Sequence, residues 1–231
     1  MSPLHPFLGR VTQGDCVHVL RRLPEACVDL VLTDPPYLVR YRDRDGRGYP
    51  NDDRSGWLLP AFAEVFRVLR PGGLCVCFYG WPRAGRFLAA WHGSGFYPVG
   101  HFVFTKRYTS RVRFTRMRHE QAYLLAKGRP ALPEHPPPDV LAFPYTGNPL
   151  HPTQKPVAAL LPLCAASSRP GARALAPFAG SGATGEAARR LGRRFILVEL
   201  DARYAHAARR RLGLDGPKSP AVPPPLSPAP R

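Results

Sequence analysis

One short stretch of the chain, Thr33-Asp34-Pro35-Pro36-Tyr37, limits the possible folds more than any other. The segment before it, 28–32, is mostly apolar and includes the β-branched Val28 and Val31, and it predicts a buried strand of a parallel sheet. Two successive prolines remove two hydrogen-bond donors and fix φ, so the strand has to end there. Asp34 is therefore expected at the carboxyl end of a strand, where open α/β sheets bind their ligands.

The residue types of this turn suit chemistry on the exocyclic amine of a nucleobase. The Asp34 carboxylate and a prolyl carbonyl are both acceptors, so together they can hold the two hydrogens of an amino group. The Tyr37 ring can stack on the base that carries the amine. The alternative interpretation is a surface turn in which Asp34 only caps the next segment.

The second half of the chain has the order of a nucleotide-binding βαβ unit. A short strand, Ala172 to Leu175, leads into the glycine-rich turn Pro177-Phe178-Ala179-Gly180-Ser181-Gly182. A helix to Leu191 and a strand that ends at Glu199 follow. The glycines allow the backbone to approach a ligand closely, and Glu199 can accept hydrogen bonds from both hydroxyls of a ribose. The chain has no Walker-type Gly-Lys-Ser/Thr sequence, which argues against a nucleoside triphosphate.

The charge of the chain predicts a polyanionic partner. Lys and Arg number 33 against 16 Asp and Glu, a formal net charge of +17. Without a membrane signal, this surplus favours nucleic acid over lipid, although a solubilising excess of arginine is the alternative. The best candidate surface is segment 106–118, which has no acid and two aromatic residues. Its candidate phosphate contacts are Lys106, Arg107, Arg111, Arg113, Arg116 and Arg118.

Composition gives no sign of a membrane or secreted protein. No apolar run approaches the roughly 20 residues that span a bilayer, and the N-terminal segment lacks a secretory pattern. The five cysteines are scattered, with no CxxC pair and no histidine at zinc spacing. We therefore expect a cytoplasmic protein with reduced thiols, no metal site and no membrane partner.

Hydrophobic periodicity predicts one α/β domain over 1–214 and a disordered, proline-rich tail over 215–231. The polar segment 38–56 is expected to be a mobile loop that can close over substrate. Two strands, 96–104 and 120–126, are expected to pair antiparallel because their separation is short and not helical. The remaining predicted elements are a strand over 10–16, a helix through Leu23, helices over 57–69, 83–91, 156–168 and 202–212, and a strand over 74–79.

Four blocks of the chain, in this order, resemble the motifs of the circularly permuted β class of amino-DNA methyltransferases that use S-adenosylmethionine. They are Asp34-Pro35-Pro36-Tyr37, His119-Glu120, His151-Pro152-Thr153-Gln154-Lys155-Pro156 and Pro177-Phe178-Ala179-Gly180-Ser181-Gly182. The resemblance extends over about 14–212. It implies a Rossmann-like methyltransferase fold with a seven-stranded, mostly parallel sheet, one antiparallel strand, and two turns that meet at the switch point.

The resemblance also implies roles for individual residues. Asp34, Pro35, Pro36 and Tyr37 would hold a flipped base. The implied cofactor contacts are Asp15 and Cys16 at the adenine, Glu199 at the ribose, Thr153 and Lys155 at the carboxylate end, and Phe178, Ala179, Gly180, Ser181 and Gly182 around the methionine part. Asp34 is also counted among the cofactor-binding residues. The chain departs from the family at Ala176, where Asp is usual, and this removes an acceptor for the cofactor's ammonium group.

The activity implied is methyl transfer from S-adenosylmethionine to the amine of adenine in double-stranded DNA, with small target-recognition insertions at 38–56 and 106–150. Four alternatives stay open. The first is cytosine, whose N4-specific enzymes more often begin the motif with Ser, and the next two are RNA and a protein amide. The fourth is a non-catalytic nucleic-acid-binding protein, which Ala176 keeps open. The expected state is a monomer or homodimer, with a cognate restriction enzyme as a candidate partner.

Overall fold

The elements of the fold are taken from a computed structural model, which describes residues 4–42, 46 and 48–215. The strands are β1 (Arg10–Gln13), β2 (Val28–Thr33), β3 (Leu69–Phe78), β4 (Tyr97–Thr105), β5 (Arg111–Val112), β6 (Arg116–Met117), β7 (His119–Ala126), β8 (Val140–Ala142), β9 (Arg173–Ala176) and β10 (Arg194–Glu199). The α-helices are α1 (Cys16–Leu20), α2 (Leu58–Val68), α3 (Ala84–Gly93), α4 (Val157–Ser167), α5 (Ala183–Arg190) and α6 (Ala202–Arg211). The tail predicted to be disordered lies outside the described residues apart from Asp215.

Eight strands form one sheet in the order β1-β10-β9-β2-β3-β7-β4-β8. Only β7 runs antiparallel to its two neighbours in this sheet, and the other adjacent pairs are parallel. The predicted α/β fold with a mostly parallel sheet and one antiparallel strand is confirmed.

The sheet has one strand more than the seven expected, because β8 in the proline-rich segment pairs with the outer edge of β4. The backbone N–H of Val103 donates to Asp139 O, and that of Phe143 donates to Thr105 O, both at 2.8 Å. These bonds satisfy backbone groups that an edge strand would otherwise leave to solvent.

Helices cover both faces of the sheet, and β2 shows why its sequence is apolar throughout. Val28 and Val31 pack in the cluster that contains the buried side chains of α1, α2 and α3. Leu30 and Leu32, which point to the opposite face, pack with buried residues of α4 and α5. A strand buried on both faces needs this continuous apolar run rather than alternation.

The boundary between α2 and β3 differs from the prediction. The helix ends at Val68 and the strand begins at Leu69, five residues before the predicted start at Leu74. The Pro71-Gly72-Gly73 sequence is extended within β3, and its backbone pairs with the end of β7. Gly72 N donates to Lys127 O at 2.7 Å and Lys127 N donates to Gly73 O at 3.1 Å.

The switch point of the sheet lies between β2 and β9. These strands pair directly, with Leu30 opposite Ala174 and Val31 opposite Leu175. From β2 the chain continues to β3 on one side, whereas from β9 it continues to β10 on the other. The two connections leave the sheet in opposite directions, which opens a crevice at the carboxyl ends of the strands.

Gly182, which precedes α5, has a structural reason to be glycine. Its φ is +80°, and a Cβ at this position would lie 3.0 Å from Ala208 Cβ in α6. Gly192 has a similar φ of +70°, but nothing lies within 4 Å of an added Cβ there. Comparing substitutions at Gly182 and Gly192 therefore distinguishes the cost of backbone strain from the cost of a steric clash.

We expect Gly192→Ala to lower the free energy of unfolding by about 1 kcal/mol, through backbone strain alone. Gly182→Ala should cost at least about 1 kcal/mol more, because α6 has to move away. Urea denaturation followed by circular dichroism measures both values. Equal losses in the two variants would show that the approach of α6 does not constrain this position.

Candidate active site

The two turns singled out from the sequence line one cavity of about 940 Å³ at the carboxyl ends of the parallel strands. The Asp34 turn follows β2, the glycine-rich turn follows β9, and Glu199 ends β10. Of the predicted target and cofactor residues, those that line the cavity are Asp15, Cys16, Asp34, Pro35, Pro36, Tyr37, Thr153, Lys155, Phe178, Ala179, Gly180, Ser181 and Glu199. Gly182 is not among the lining residues.

Asp34 is the centre of a hydrogen-bonded group at the end of β2. Its Oδ2 accepts a bond from Lys155 Nζ at 2.7 Å, and its Oδ1 accepts one from Tyr37 Oη at 2.9 Å. Burial raises the pKa of Asp34, while the Lys155 ammonium and the Tyr37 hydroxyl oppose that rise. Burial and two nearby carboxylates raise the pKa of Tyr37 well above its ordinary value, so the phenol remains a donor.

Lys155 lies directly before α4, as the sequence predicts, and its ammonium makes a second kind of contact. Nζ lies 5.3 Å from the centroid of the Tyr37 ring and 5.0 Å from that of Phe78. These are cation–π distances. One face of the Tyr37 ring is thus covered by Lys155.

Glu120, in β7, extends this group, although sequence reasoning gave it no role. Its Oε2 is 3.5 Å from Tyr37 Oη, and its Oε1 accepts a bond from Lys106 Nζ. Burial acts to raise the pKa of Glu120, but the Lys155 and Lys106 ammonium groups outweigh it, and the pKa is lowered. The His119-Glu120 block of the resemblance was the signal that could have identified it.

Lys106 differs from the other cations of segment 106–118. Its side chain is only 5% exposed, and Nζ lies 5.7 Å from the Tyr108 ring and 5.5 Å from the Phe143 ring. The structure therefore places Lys106 inside the site rather than on the surface where the sequence predicted a phosphate contact. The five arginines of the segment are exposed, and of these only Arg111 lines the cavity.

The glycine-rich turn is held by Glu199. The carboxylate accepts hydrogen bonds from Gly180 N at 2.7 Å and from Asp201 N at 2.9 Å. Burial raises the pKa of Glu199, against the effect of these backbone donors. A carboxylate has about four lone-pair sites. Glu199 can therefore hold the turn and still accept from a bound ligand.

The opposite wall of this end of the cavity is formed by the start of α1. Asp15 caps the helix and accepts bonds from Val17 N at 2.9 Å and His18 N at 3.2 Å. Cys16 is buried, and burial raises the pKa of its thiol to about 12, with Asp15 adding to the rise. The uncharged thiol is an apolar surface suited to a flat ring.

Four aromatic rings that line the cavity form an aromatic stack that the sequence did not predict; three of them are stacked and the fourth, Tyr204, is tilted by 54° against His151. Tyr41 and Tyr49 are stacked at 5.1 Å, Tyr49 and His151 at 5.2 Å, and His151 and Tyr204 lie 4.1 Å apart. Burial, with the Lys155 charge, lowers the pKa of His151 to about 4. The buried Asp52 carboxylate accepts a hydrogen bond from Tyr41 N at 2.5 Å. This bond links two parts of segment 38–56 that are distant in sequence.

The two ends of the cavity differ in chemistry. The end near Glu199 combines a carboxylate, a backbone turn and an apolar wall, which fits a nucleoside with a short polar chain. The end near Asp34 presents acceptors beside an aromatic ring. Position 176, where the family usually has Asp, is a buried alanine in β9 that pairs with Leu197. The methionine end of a cofactor thus has no carboxylate at this position.

Within the described residues, no group of three or more His, Cys, Asp and Glu side chains is placed to hold a metal ion. Among the same residues, no helix is both long and apolar enough to cross a membrane.

The Lys106–Glu120 pair can be tested by a double-mutant cycle. Lys106→Met and Glu120→Gln should each lower the free energy of unfolding by about 3 kcal/mol, because each leaves a largely buried charge without its partner. The double variant should lose clearly less than the sum. Urea denaturation gives the four values, with exposed Arg113→Gln as a control that changes stability by no more than about 0.5 kcal/mol. Additive losses would contradict the pairing.

Comparison with known proteins identifies relatives over nearly the whole chain. The model of the DNA methylase family, N6_N4_Mtase, matches residues 28–145 and 135–210. YubD of Escherichia coli K12, named as a methylase, is 53% identical over 205 residues, which cover 89% of this chain and 90% of YubD. YhdJ of the same organism, named a DNA adenine methyltransferase, is 28% identical over 87% of this chain and 82% of its own.

A solved structure gives the same result. TTHA0409 of Thermus thermophilus, described as a DNA modification methylase, was determined in complex with S-adenosyl-L-methionine. It is 26% identical, covers 90% of this chain and 96% of its own, and superposes with a TM-score of 0.67. With most of its length matched by the family model, the chain belongs to the N6/N4 DNA methylase family.

Proposed function

We propose that this protein transfers a methyl group from S-adenosylmethionine to the exocyclic amine of adenine in double-stranded DNA. The observation that supports this most directly is the Asp34–Lys155–Tyr37 group in the same cavity as the glycine-rich turn. An acceptor for an amine and a site for a nucleoside cofactor then lie side by side. Residues 1–214 act as one catalytic domain, with 38–56 and 106–150 as the recognition insertions.

The cofactor occupies the end of the cavity near Glu199. Glu199 accepts from the ribose, Asp15 and Cys16 border the adenine, and Phe178 to Ser181 surround the methionine part. Thr153 and Lys155 lie at its carboxylate end. When bound, S-adenosylmethionine would supply an electrophilic sulfonium methyl group; its transfer to the amine nitrogen would leave the cofactor as a neutral thioether and release one amine proton to water.

The protein's task is to position and polarise the amine. The amine of adenine is a weak nucleophile because its lone pair is delocalised into the ring. Hydrogen bonds from its two hydrogens to the Asp34 carboxylate and the Pro35 carbonyl favour a tetrahedral nitrogen with the lone pair directed outward. The Lys155 ammonium opposes the rise in pKa that burial causes at Asp34 and so favours the carboxylate form, which accepts rather than donates.

The base has to leave the DNA helix to reach Asp34, at a cost of a few kcal/mol, roughly. Because Lys155 covers one face of Tyr37, the base stacks on the other face. The exposed arginines 107, 111, 113, 116 and 118 bind phosphates, and affinity falls steeply with salt. Lys106 does not contact phosphates in this proposal. It pairs with Glu120 and so helps to position the side chains of the site.

Cytosine is the second candidate target, because the family comprises both N6 and N4 enzymes. Asp at position 34 and the name of YhdJ favour adenine. A non-catalytic role is disfavoured by the hydrogen-bonded acceptor group of Asp34, Lys155 and Tyr37, which a binding protein does not require. A cytoplasmic location, a monomer or homodimer, and a cognate restriction enzyme remain predictions.

The proposal is tested by expressing the chain in a host without adenine methylation and analysing nucleosides of its DNA by mass spectrometry. We expect 6-methyladenine with the wild type and none with Asp34→Ala, which removes the acceptor of the amine. Asp29→Ala is the matched control on the same strand, because Asp29 pairs with Arg70 and Arg173 outside the cavity. It should leave methylation intact.

Calorimetry with S-adenosylmethionine completes this experiment. Asp34→Ala should still bind the cofactor. 4-Methylcytosine as the product would overturn the choice of adenine. The absence of cofactor binding by the wild type would support the non-catalytic alternative.

The pH dependence of turnover should follow Asp34. Below its pKa this carboxyl is protonated and loses its role as acceptor, so turnover falls as pH decreases. Because burial raises this pKa, the acid limb should lie above the ordinary value of 3.8. Lys155→Met removes the charge that opposes the rise and should shift the limb to higher pH, measured at saturating cofactor and DNA. An unchanged limb would contradict the role of this pair.

A further inference from the structure

The most exposed large apolar side chain among the described residues is Phe114, at 107% of the reference exposure. It lies between β5 and β6, at the tip of a hairpin. Single exposed apolar residues are common on protein surfaces. The surroundings of Phe114 distinguish it from such residues.

The hairpin is a continuation of the β4–β7 pair. Lys106 N donates to Arg118 O at 2.7 Å, and Ser110 N donates to Met117 O at 2.9 Å. Beyond these bonds Arg111 pairs with Met117, and the chain turns at Phe114. A two-stranded ribbon of this kind has the size that enters a groove of DNA. The ribbon therefore holds Phe114 at its apex.

The charges around Phe114 favour nucleic acid over any other partner. Four exposed arginines surround it in sequence, at positions 111, 113, 116 and 118. Within the described part of the chain, no carboxylate forms an ion pair with them. Cations of this kind bind phosphates, and an aromatic ring among them can stack on bases.

The hairpin also lies next to the site. Arg111 and Met117, at its base, line the same cavity as Asp34. Leu132 provides a contrast. It is 93% exposed, but it lies in a proline-rich segment, outside the cavity and outside the basic hairpin.

We propose that Phe114 is a wedge that enters the base stack of DNA beside the target and stacks on the base left exposed when the target is extruded. This inference rests on the proposed DNA methyltransferase function. An extruded base costs its stacking energy, and an inserted apolar side chain replaces part of it. Phe114 thus lowers the cost of extrusion, and the arginines on either side hold the ribbon against the phosphates.

Stacking is measured with Phe114→Trp in the full chain. Its added fluorescence, after subtraction of the wild-type signal, should fall by about half or more when a short duplex binds, because bases quench a stacked indole. Heparin, a polyanion without bases, should leave it nearly unchanged. Val112→Trp, on the same hairpin and 67% exposed, is the matched control and should respond weakly to both. Equal responses at the two positions, or an unquenched Phe114→Trp that still binds duplex, would overturn the wedge.

The role in extrusion is measured with Phe114→Ala on the sequence found to be methylated. On paired duplex, methylation should slow on the order of tenfold, the loss expected for one stacked base. Removing the base opposite the target should restore most of the rate, because extrusion is then less costly. Leu132→Ala should match the wild type on both duplexes. An equal loss by Phe114→Ala on both duplexes would argue against a role in extrusion.

The two proposals fail in different ways. A wild type that methylates DNA together with an unquenched Phe114→Trp would refute the wedge alone. A wild type that neither binds duplex nor methylates it would refute the proposed function, and the wedge with it.

Discussion

The ion pair between Asp34 and Lys155 is the interaction on which the site depends. It joins side chains 121 positions apart in the chain, one at the end of β2 and the other just before α4. Both side chains are largely buried, 8% exposed for Lys155 and 26% for Asp34. Each charge favours the presence of the other, since a buried charge that lacks its partner costs several kcal/mol, roughly. The pair therefore fixes both turns in relation to each other.

Beyond this pair, charges alternate along one buried chain of contacts. Lys155 meets Asp34, Asp34 meets the Tyr37 hydroxyl, and Tyr37 approaches Glu120, which meets Lys106. Two ammonium groups balance two carboxylates, and the neutral phenol separates the carboxylates. The same contacts orient the Tyr37 ring, so electrostatic balance and the placement of the aromatic surface have one cause.

Sequence reasoning succeeded where the signal was local. Two prolines end the ladder of a strand, and the acid before them then lies at the carboxyl end of that strand. It failed where the environment of a residue is set by segments that are distant in sequence. Lys106 is one of the six cations of segment 106–118, and its partner Glu120, on the neighbouring strand, distinguishes it from the five exposed arginines. The aromatic stack and β8 likewise depend on segments that meet only in the folded chain.

The stack over the cavity has an electrostatic consequence. Burial lowers the pKa of His151 to about 4, so its imidazole is neutral at physiological pH, and burial raises the pKa of its neighbour Tyr49, whose phenol is therefore uncharged. A layer of neutral π-surfaces is attractive to a cation rather than repulsive. In a strongly basic protein, the rings of the stack beside Gly180 thus add no positive charge of their own to repel an incoming cation.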